Sequence, residues 1–191
     1  MHRLKGIAMT SGNSIIGKLA RFIGDRRGVS AVEFAILLPV MMTLYLGSVE
    51  GSQGIAAQRK VTLTAHALAD LATQYTDITN ADMSNVLAAG SAIIAPYSAA
   101  NLQEVVSELS IDASGQATVV WSDTLGGTAL TAGTVVSIPA SLAVPNTFLI
   151  YAQVQYSYNP TYGYVMNSTM TLSDQSYMMP RQSTSIARTT T

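Results

Sequence analysis

The hydrophobic pattern begins with an apolar run over residues 29–49, which carries a single charge. A helix needs about 20 apolar residues to cross the hydrocarbon core of a bilayer, so the run predicts a transmembrane helix. Residues 50–75 contain no proline, and their apolar positions follow the three-four-seven spacing of a helix face (Val61, Leu68, Leu71, Tyr75). The sequence therefore predicts that the helix continues to about residue 75.

A second, shorter helix is predicted after a polar break. The sequence Thr79-Asn80-Ala81-Asp82 resembles a capping box in which Asp replaces the usual Glu or Gln. We expect this helix to run to about Ile94, because Pro96 cannot continue it.

The remaining pattern has the period of two that is typical of strands. Residues 103–122 predict a hairpin around the turn at 112–115, and 148–158 predict the longest strand. Further strands are expected at 163–172 and at 176–186, the latter at a sheet edge because Pro180 interrupts it. Residues 187–191 are expected to be a frayed tail.

The predicted fold class is α+β: a long N-terminal transmembrane and projecting helix, a short helix and a small antiparallel sheet. Four segments are expected, which are a basic cytoplasmic leader (1–28), a transmembrane helix (29–49), its helical continuation (50–75) and an extracytoplasmic α+β domain (76–191). The tyrosines between residues 151 and 164 suggest a binding surface, but aromatic residues are also favoured in strands. We prefer the second explanation.

Charge is distributed unevenly along the 191 residues, although the net charge is only −1. Residues 1–28 hold six of the ten Lys and Arg residues and one acid, which leaves a formal charge of −6 on residues 29–191. The positive-inside rule places the basic leader in the cytoplasm and the acidic bulk across the membrane. The basic residues of the leader are not interleaved with aromatic ones, so nucleic-acid binding is not expected.

Few residues are available for catalysis or for cofactors. The chain has no cysteine, which excludes disulfides and thiol chemistry, and it has two histidines. His66 and Asp70 stand one helical turn apart, a spacing more typical of a surface hydrogen bond than of a catalytic pair. No metal-ligand spacing or nucleophile elbow is present, so we expect neither an enzyme, nor a metal site, nor a cofactor.

Glu33 and Gly28 stand out at the start of the apolar run. An ionisable group inside a membrane span is costly, which makes Glu33 a functional-site hypothesis; a carboxylate at the membrane edge that reaches water is the alternative. Gly28, followed five residues later by Glu33-Phe34, resembles a prepilin-peptidase site. Together with Leu37-Leu38-Pro39 and Gly47-Ser48-Val49-Glu50, this pattern resembles the TadE family of pilin-like proteins in tight-adherence (Tad, or Flp) pilus systems.

The resemblance implies a processing site, an assembly carboxylate and a set of partners. Cleavage after Gly28 would free the α-amino group of Val29, and Glu33 would pair with that group on a neighbouring subunit. Pro39 is expected to kink the helix. The implied partners are the inner membrane, a prepilin peptidase, a major Flp-type pilin, other minor pilins and membrane proteins of the Tad machine.

Two alternative functions remain open. The first is an uncut single-pass scaffold of the same apparatus, similar to the TadG group, although TadG proteins usually have an apolar residue where Glu33 stands. The second is a membrane-anchored periplasmic hydrolase that uses His66 and a serine.

Overall fold

The computed structural model describes residues 26–160, 163 and 167–190. The predicted leader up to residue 25, together with Tyr162 and Tyr164, lies outside the described residues. The chain divides into two compact units, Met1–Tyr45 and Leu46–Thr191. Only residues 26–45 of the first unit are described.

Helix α1 (Arg26–Ala72) is the longest element, and it contains Pro39. It ends at Ala72, somewhat before the predicted end at residue 75. A two-residue strand β1 (Asp77–Ile78) follows, and then helix α2 (Asn80–Ile93). One long apolar helix and one short helix therefore precede the sheet, as the sequence predicts.

The capping box at the start of α2 is confirmed. The Asp82 backbone N–H donates to Thr79 Oγ1 at 3.2 Å, and the Thr79 backbone N–H donates to Asp82 Oδ2 at 3.1 Å. These two bonds satisfy donors that the first turn of a helix leaves free. The hydrogen bonds to Thr79 hold the pKa of Asp82 below its ordinary value.

The second unit is built around a five-stranded antiparallel sheet. Its strands are β2 (Leu102–Ile111), β3 (Ala117–Leu125), β4 (Val135–Val136), β5 (Thr147–Tyr158) and β6 (Met170–Met178). Their spatial order is β4-β3-β2-β5-β6, with short 3₁₀ turns at Ala99–Asn101 and Ala140–Leu142. The fold is α+β, which confirms the predicted class.

The two faces of the sheet bury different cores, because successive strand side chains point to opposite sides. One face packs against both helices, and its Val106, Ile150 and Val154 share one core with Val61 and Leu68 of α1. The other face is covered by the segment between β3 and β5, and its core is smaller (Leu109, Ile111, Ala117, Val119, Leu149, Tyr151). The tyrosines at positions 151, 156 and 158 are all buried, which favours strand packing over a binding surface for them.

Helix α1 is joined to β6 and the segment after it by four polar side chains spaced four residues apart. We call Gln58, Thr62, His66 and Asp70 the polar ladder. Gln58 Nε2 donates to the Ser173 carbonyl at 3.2 Å, Thr62 donates to Asp174, and Arg181 donates to Asp70. His66 Nδ1 lies 3.0 Å from Ser176 Oγ. A four-residue spacing keeps these groups on one face, which fixes the register of α1 along the strand.

The C-terminal region differs from its prediction in two ways. A single strand, β6, spans Met170–Met178, so the predicted division into strands at 163–172 and 176–186 is wrong. The predicted frayed tail is also wrong in part, because β7 (Ala187–Arg188) pairs in parallel with β1. The second error arises because β1, the partner of β7, is distant in sequence.

Gly126 should tolerate no side chain, in contrast to Gly133. Both have positive φ, at +72° and +85°, but only at Gly126 would a Cβ overlap the Leu102 carbonyl oxygen. We expect Gly126→Ala to lower the free energy of unfolding by about 1–3 kcal/mol more than Gly133→Ala, because strain is common to both and the clash is not. Thermal unfolding of the two variants measures the difference, and equal losses would contradict the prediction.

Candidate anchoring, processing and assembly site

The N-terminal part of α1 exposes its apolar side chains. Every side chain from residue 28 to residue 45 is exposed, including Val29, Phe34 and Leu44. Among the described residues, one helix is long and apolar enough to cross a membrane, and it begins at Gly28. None of its most apolar 18-residue window is buried by protein. Such a surface favours lipid or another apolar partner over water, which suggests membrane anchoring.

The candidate processing residues lie at the start of this helix. Gly28 is the third described residue of α1 and lies next to Val29, at the start of the exposed apolar stretch. A Cβ at Gly28 would meet nothing within 4 Å. Glycine inside a helix is less favourable than alanine by roughly 0.5–1 kcal/mol, so Gly28 weakens the helix locally.

The candidate assembly residue lies one turn further on. Glu33 follows Val29 by four residues, so both residues lie on the same face of α1. Glu33 is exposed among apolar neighbours, and no described ion pair includes it. A carboxylate so placed can meet a cation from another molecule.

Pro39 lies inside the same exposed stretch. Proline has no backbone N–H, so the Ala35 carbonyl lacks its usual helical donor. One turn later, Thr43 Oγ1 donates to the Pro39 carbonyl at 2.8 Å. The kink at Pro39 stays a prediction.

The histidine, serine and acid that a hydrolase would need are only partly brought together. His66 does contact a serine, Ser176, but that serine is buried, with 3% of its surface exposed. Asp70 binds Arg181 and Gln74, and its hydrogen bonds do not reach His66. A catalytic triad requires the acid to orient the histidine and the serine to reach substrate. These contacts are those of the polar ladder.

Two buried glutamates on β2 were not singled out by the sequence. Glu108 accepts hydrogen bonds from the Ile186 N–H at 2.6 Å and from Trp121 Nε1 at 3.1 Å. Trp121 Nε1 also lies 2.8 Å from the Ile186 carbonyl oxygen. We call these three residues the Trp121 clasp. Burial raises the pKa of Glu108, and the two hydrogen bonds oppose that rise.

Glu104 has a different environment, since neither carboxylate oxygen has a hydrogen-bond partner among the described residues. Its side chain is fully buried, and burial raises its pKa to about 7. The sequence does show that Glu104 and Glu108 are the two charged residues of β2. Alternation alone does not identify them, since it does not show that both faces of β2 are covered.

A long apolar N-terminal helix joined to a small α+β domain is the architecture of a pilin-like protein. The family model of TadE, described as TadE-like protein, matches residues 28–70. The match confirms the resemblance to TadE-like proteins of the Tad pilus system along α1, and residues 71–191 lie outside it.

No curated protein and no solved structure matches the chain. The similarity of this chain to known proteins therefore rests on the family match. TadE-like proteins are structural or assembly components of pili and are not known as enzymes. The partial His66–Ser176 arrangement is consistent with that class.

Trp121→Phe tests the Trp121 clasp. Phenylalanine keeps the aromatic ring but removes Nε1, which leaves the buried Ile186 carbonyl and one Glu108 oxygen without this donor. We expect a loss of about 1–3 kcal/mol in the free energy of unfolding and faster proteolysis near residue 186. Val120→Ala, on the adjacent and 42% exposed residue, is the control. A Trp121→Phe protein as stable as this control would contradict the role of the clasp.

Proposed function

We propose that this protein is a pilin-like subunit of a Tad (Flp) pilus assembly machine that is cut after Gly28 and held in the bacterial inner membrane by α1. The supporting observation is the exposed apolar helix that carries Gly28, Val29 and Glu33 in its first turns, within the TadE-like segment. The other described features are those of a structural protein.

The proposed topology follows from charge and exposure. The leader, residues 1–28, is basic and stays in the cytoplasm, residues 29–49 span the membrane, and residues 50–75 continue beyond it. Residues 76–191 form the periplasmic or extracellular domain. This domain has no cysteine, so packing and hydrogen bonds must supply its stability without disulfides.

Processing after Gly28 requires the peptide bond to leave the helix and enter the active site of the prepilin peptidase. The surroundings of Gly28 favour this, because the space around it is open and glycine weakens the helix locally. The absent side chain also lets the peptidase approach the backbone closely. The product would begin at Val29 with a free α-amino group.

Glu33 would then act in assembly. An unpaired charge costs up to about 2.5–3.5 kcal/mol in a membrane helix, with the full value at the helix centre, so the cost at Glu33 is at most of this order. Pairing Glu33 with the α-amino group of a neighbouring subunit would remove much of this cost for both groups. The pair would thus favour one register between adjacent helices, and it requires the cleavage that creates the amine.

The proposed role is in priming or early assembly of the pilus. The partners would be the prepilin peptidase, a major Flp-type pilin, other minor pilins and membrane components of the Tad machine. The domain after α1 forms a five-stranded sheet with two separate cores, which gives it surfaces that an isolated helix lacks.

Cleavage is tested by mass spectrometry of protein extracted from membranes of cells with an active peptidase. We expect a mature protein that begins at Val29, and a full-length Gly28→Leu protein, because leucine obstructs close approach and favours the helix more than glycine does. Gly51→Ala changes another glycine of α1 that has open space around it, and it should be processed normally. Uncut wild-type protein would reject processing and favour the TadG-like scaffold.

Glu33→Gln should leave cleavage intact and reduce assembly. The amide keeps the size of the side chain but cannot neutralise an ammonium group, so the loss in piliation should reach up to about 100-fold, the energy of one unpaired charge in lipid. Piliation is counted by electron microscopy, alongside mass spectrometry of the same cells.

The double variant Glu33→Gln/Ala35→Glu is the matched control. It restores the charge but moves it about 200° around the helix, away from the face of Val29. We expect piliation to stay low. Recovery of piliation in this double variant would show that the charge matters and that its position on the helix does not. Wild-type piliation in Glu33→Gln would contradict the proposed role of Glu33 in assembly.

A further inference from the structure

Glu104 lies at the junction of three elements. It is on the face of β2 that meets the helices, and its carboxylate packs against Gly90 of α2. A Cβ at Gly90 would overlap this carboxylate and would lie 3.1 Å from Thr64 Cγ2 of α1. The missing side chain at Gly90 thus forms a notch that the Glu104 carboxyl group fills.

The notch offers the carboxyl group no polar partner. Both oxygens are buried without a hydrogen bond among the described residues. Glu108, four residues along the same strand, receives two hydrogen bonds in comparable burial. A neutral carboxylic acid tolerates the notch far better than a carboxylate, since burial of an unpaired charge is much more costly than burial of a neutral polar group.

The charged and titratable groups around Glu104 have other partners or do not reach it. On α1, Lys60 Nζ donates to the Ile93 carbonyl at the end of α2, at 3.1 Å. Also on α1, His66 contacts Ser176 and Asp70 pairs with Arg181. On α2, β2 and β3, Asp82 is bound to Thr79, Glu108 belongs to the Trp121 clasp, and Asp123 is paired with Arg188. On β5, Tyr151 contacts Gln175, and Tyr156 and Tyr158 pack against Tyr97.

We propose that α2 is a proton-controlled flap: it stays closed on α1 and β2 while Glu104 holds a proton, and it opens when Glu104 ionises. Opening α2 gives the carboxylate access to water and exposes the buried side chains of Met83, Val86 and Leu87. The hydrogen bond from Lys60 then breaks as well, because its acceptor, the Ile93 carbonyl, lies in the last turn of α2. This device lies outside the segment proposed for processing and assembly.

The direction of the pH dependence follows from the proton affinity of the closed form. The pKa of Glu104 is raised from 4.5 to about 7 by burial when α2 is closed, and in the open form it returns towards 4.5. Protonation therefore stabilises the closed form fully below pH 4.5. This stabilisation is lost as the pH rises through about 7. Between about pH 5.5 and about pH 8.5, the opening equilibrium should shift roughly 30-fold.

Hydrogen exchange of the full protein in detergent micelles tests this proposal. Protection of the Asn80–Ile93 amides, corrected for intrinsic exchange, should fall roughly 30-fold across that pH range in the wild type. Protection of β5 should stay constant. Glu104→Gln, and Glu104→Met as a second variant, should both abolish the dependence. Glu108→Gln is the matched control on the same strand and face, and this variant should retain the pH dependence of α2 protection.

Three results would overturn the proposal. Protection of α2 that does not change with pH would show that Glu104 is neutralised in place, with Lys60 as a candidate partner. A dependence that survives in Glu104→Gln and Glu104→Met would assign it to another group. Equal loss of protection in α2 and β5 would indicate unfolding of the whole domain.

Discussion

The packing of α1 on the sheet is the constraint on which the rest of the second unit depends. A stripe of small and branched apolar residues meets one sheet face, including Val61, Ala65 and Leu68. The alanines let the helix come close, and the polar ladder beside them fixes its position along β6. Apolar burial supplies the free energy and the ladder supplies the register. An error of one residue in this register would remove all four ladder contacts.

The second unit carries little charge, yet it buries three carboxylates. Glu50, Glu104 and Glu108 are each at most 1% exposed. Glu108 is supported by two donors and Glu104 by none, although they lie on the same strand face. The difference is local: Trp121 and the Ile186 backbone reach Glu108, whereas Gly90 offers Glu104 space without a donor. Buried acids on one strand can thus have unrelated roles.

The sequence predicts well those features that depend on residues close together in the chain. The apolar run, the Thr79–Asp82 capping box, the 103–122 hairpin and the strand at 148–158 each follow from a local pattern. The sequence also yields the Gly28, Val29 and Glu33 pattern of the candidate site. Features made by distant partners do not follow: the pairing of β1 with β7, the contact of His66 with Ser176, and the burial of Glu104 behind Gly90. No local pattern shows which strand face a helix will cover.

The Trp121 clasp and the β1–β7 pair have a consequence for export. Ile186 and Arg188 contribute contacts to Glu108, Trp121 and Asp123, so this part of the domain cannot close without them. In the proposed topology, residue 188 has to cross the membrane before these contacts form. In that topology, late closure between β1 and β7 would keep this part of the polypeptide unfolded during its passage.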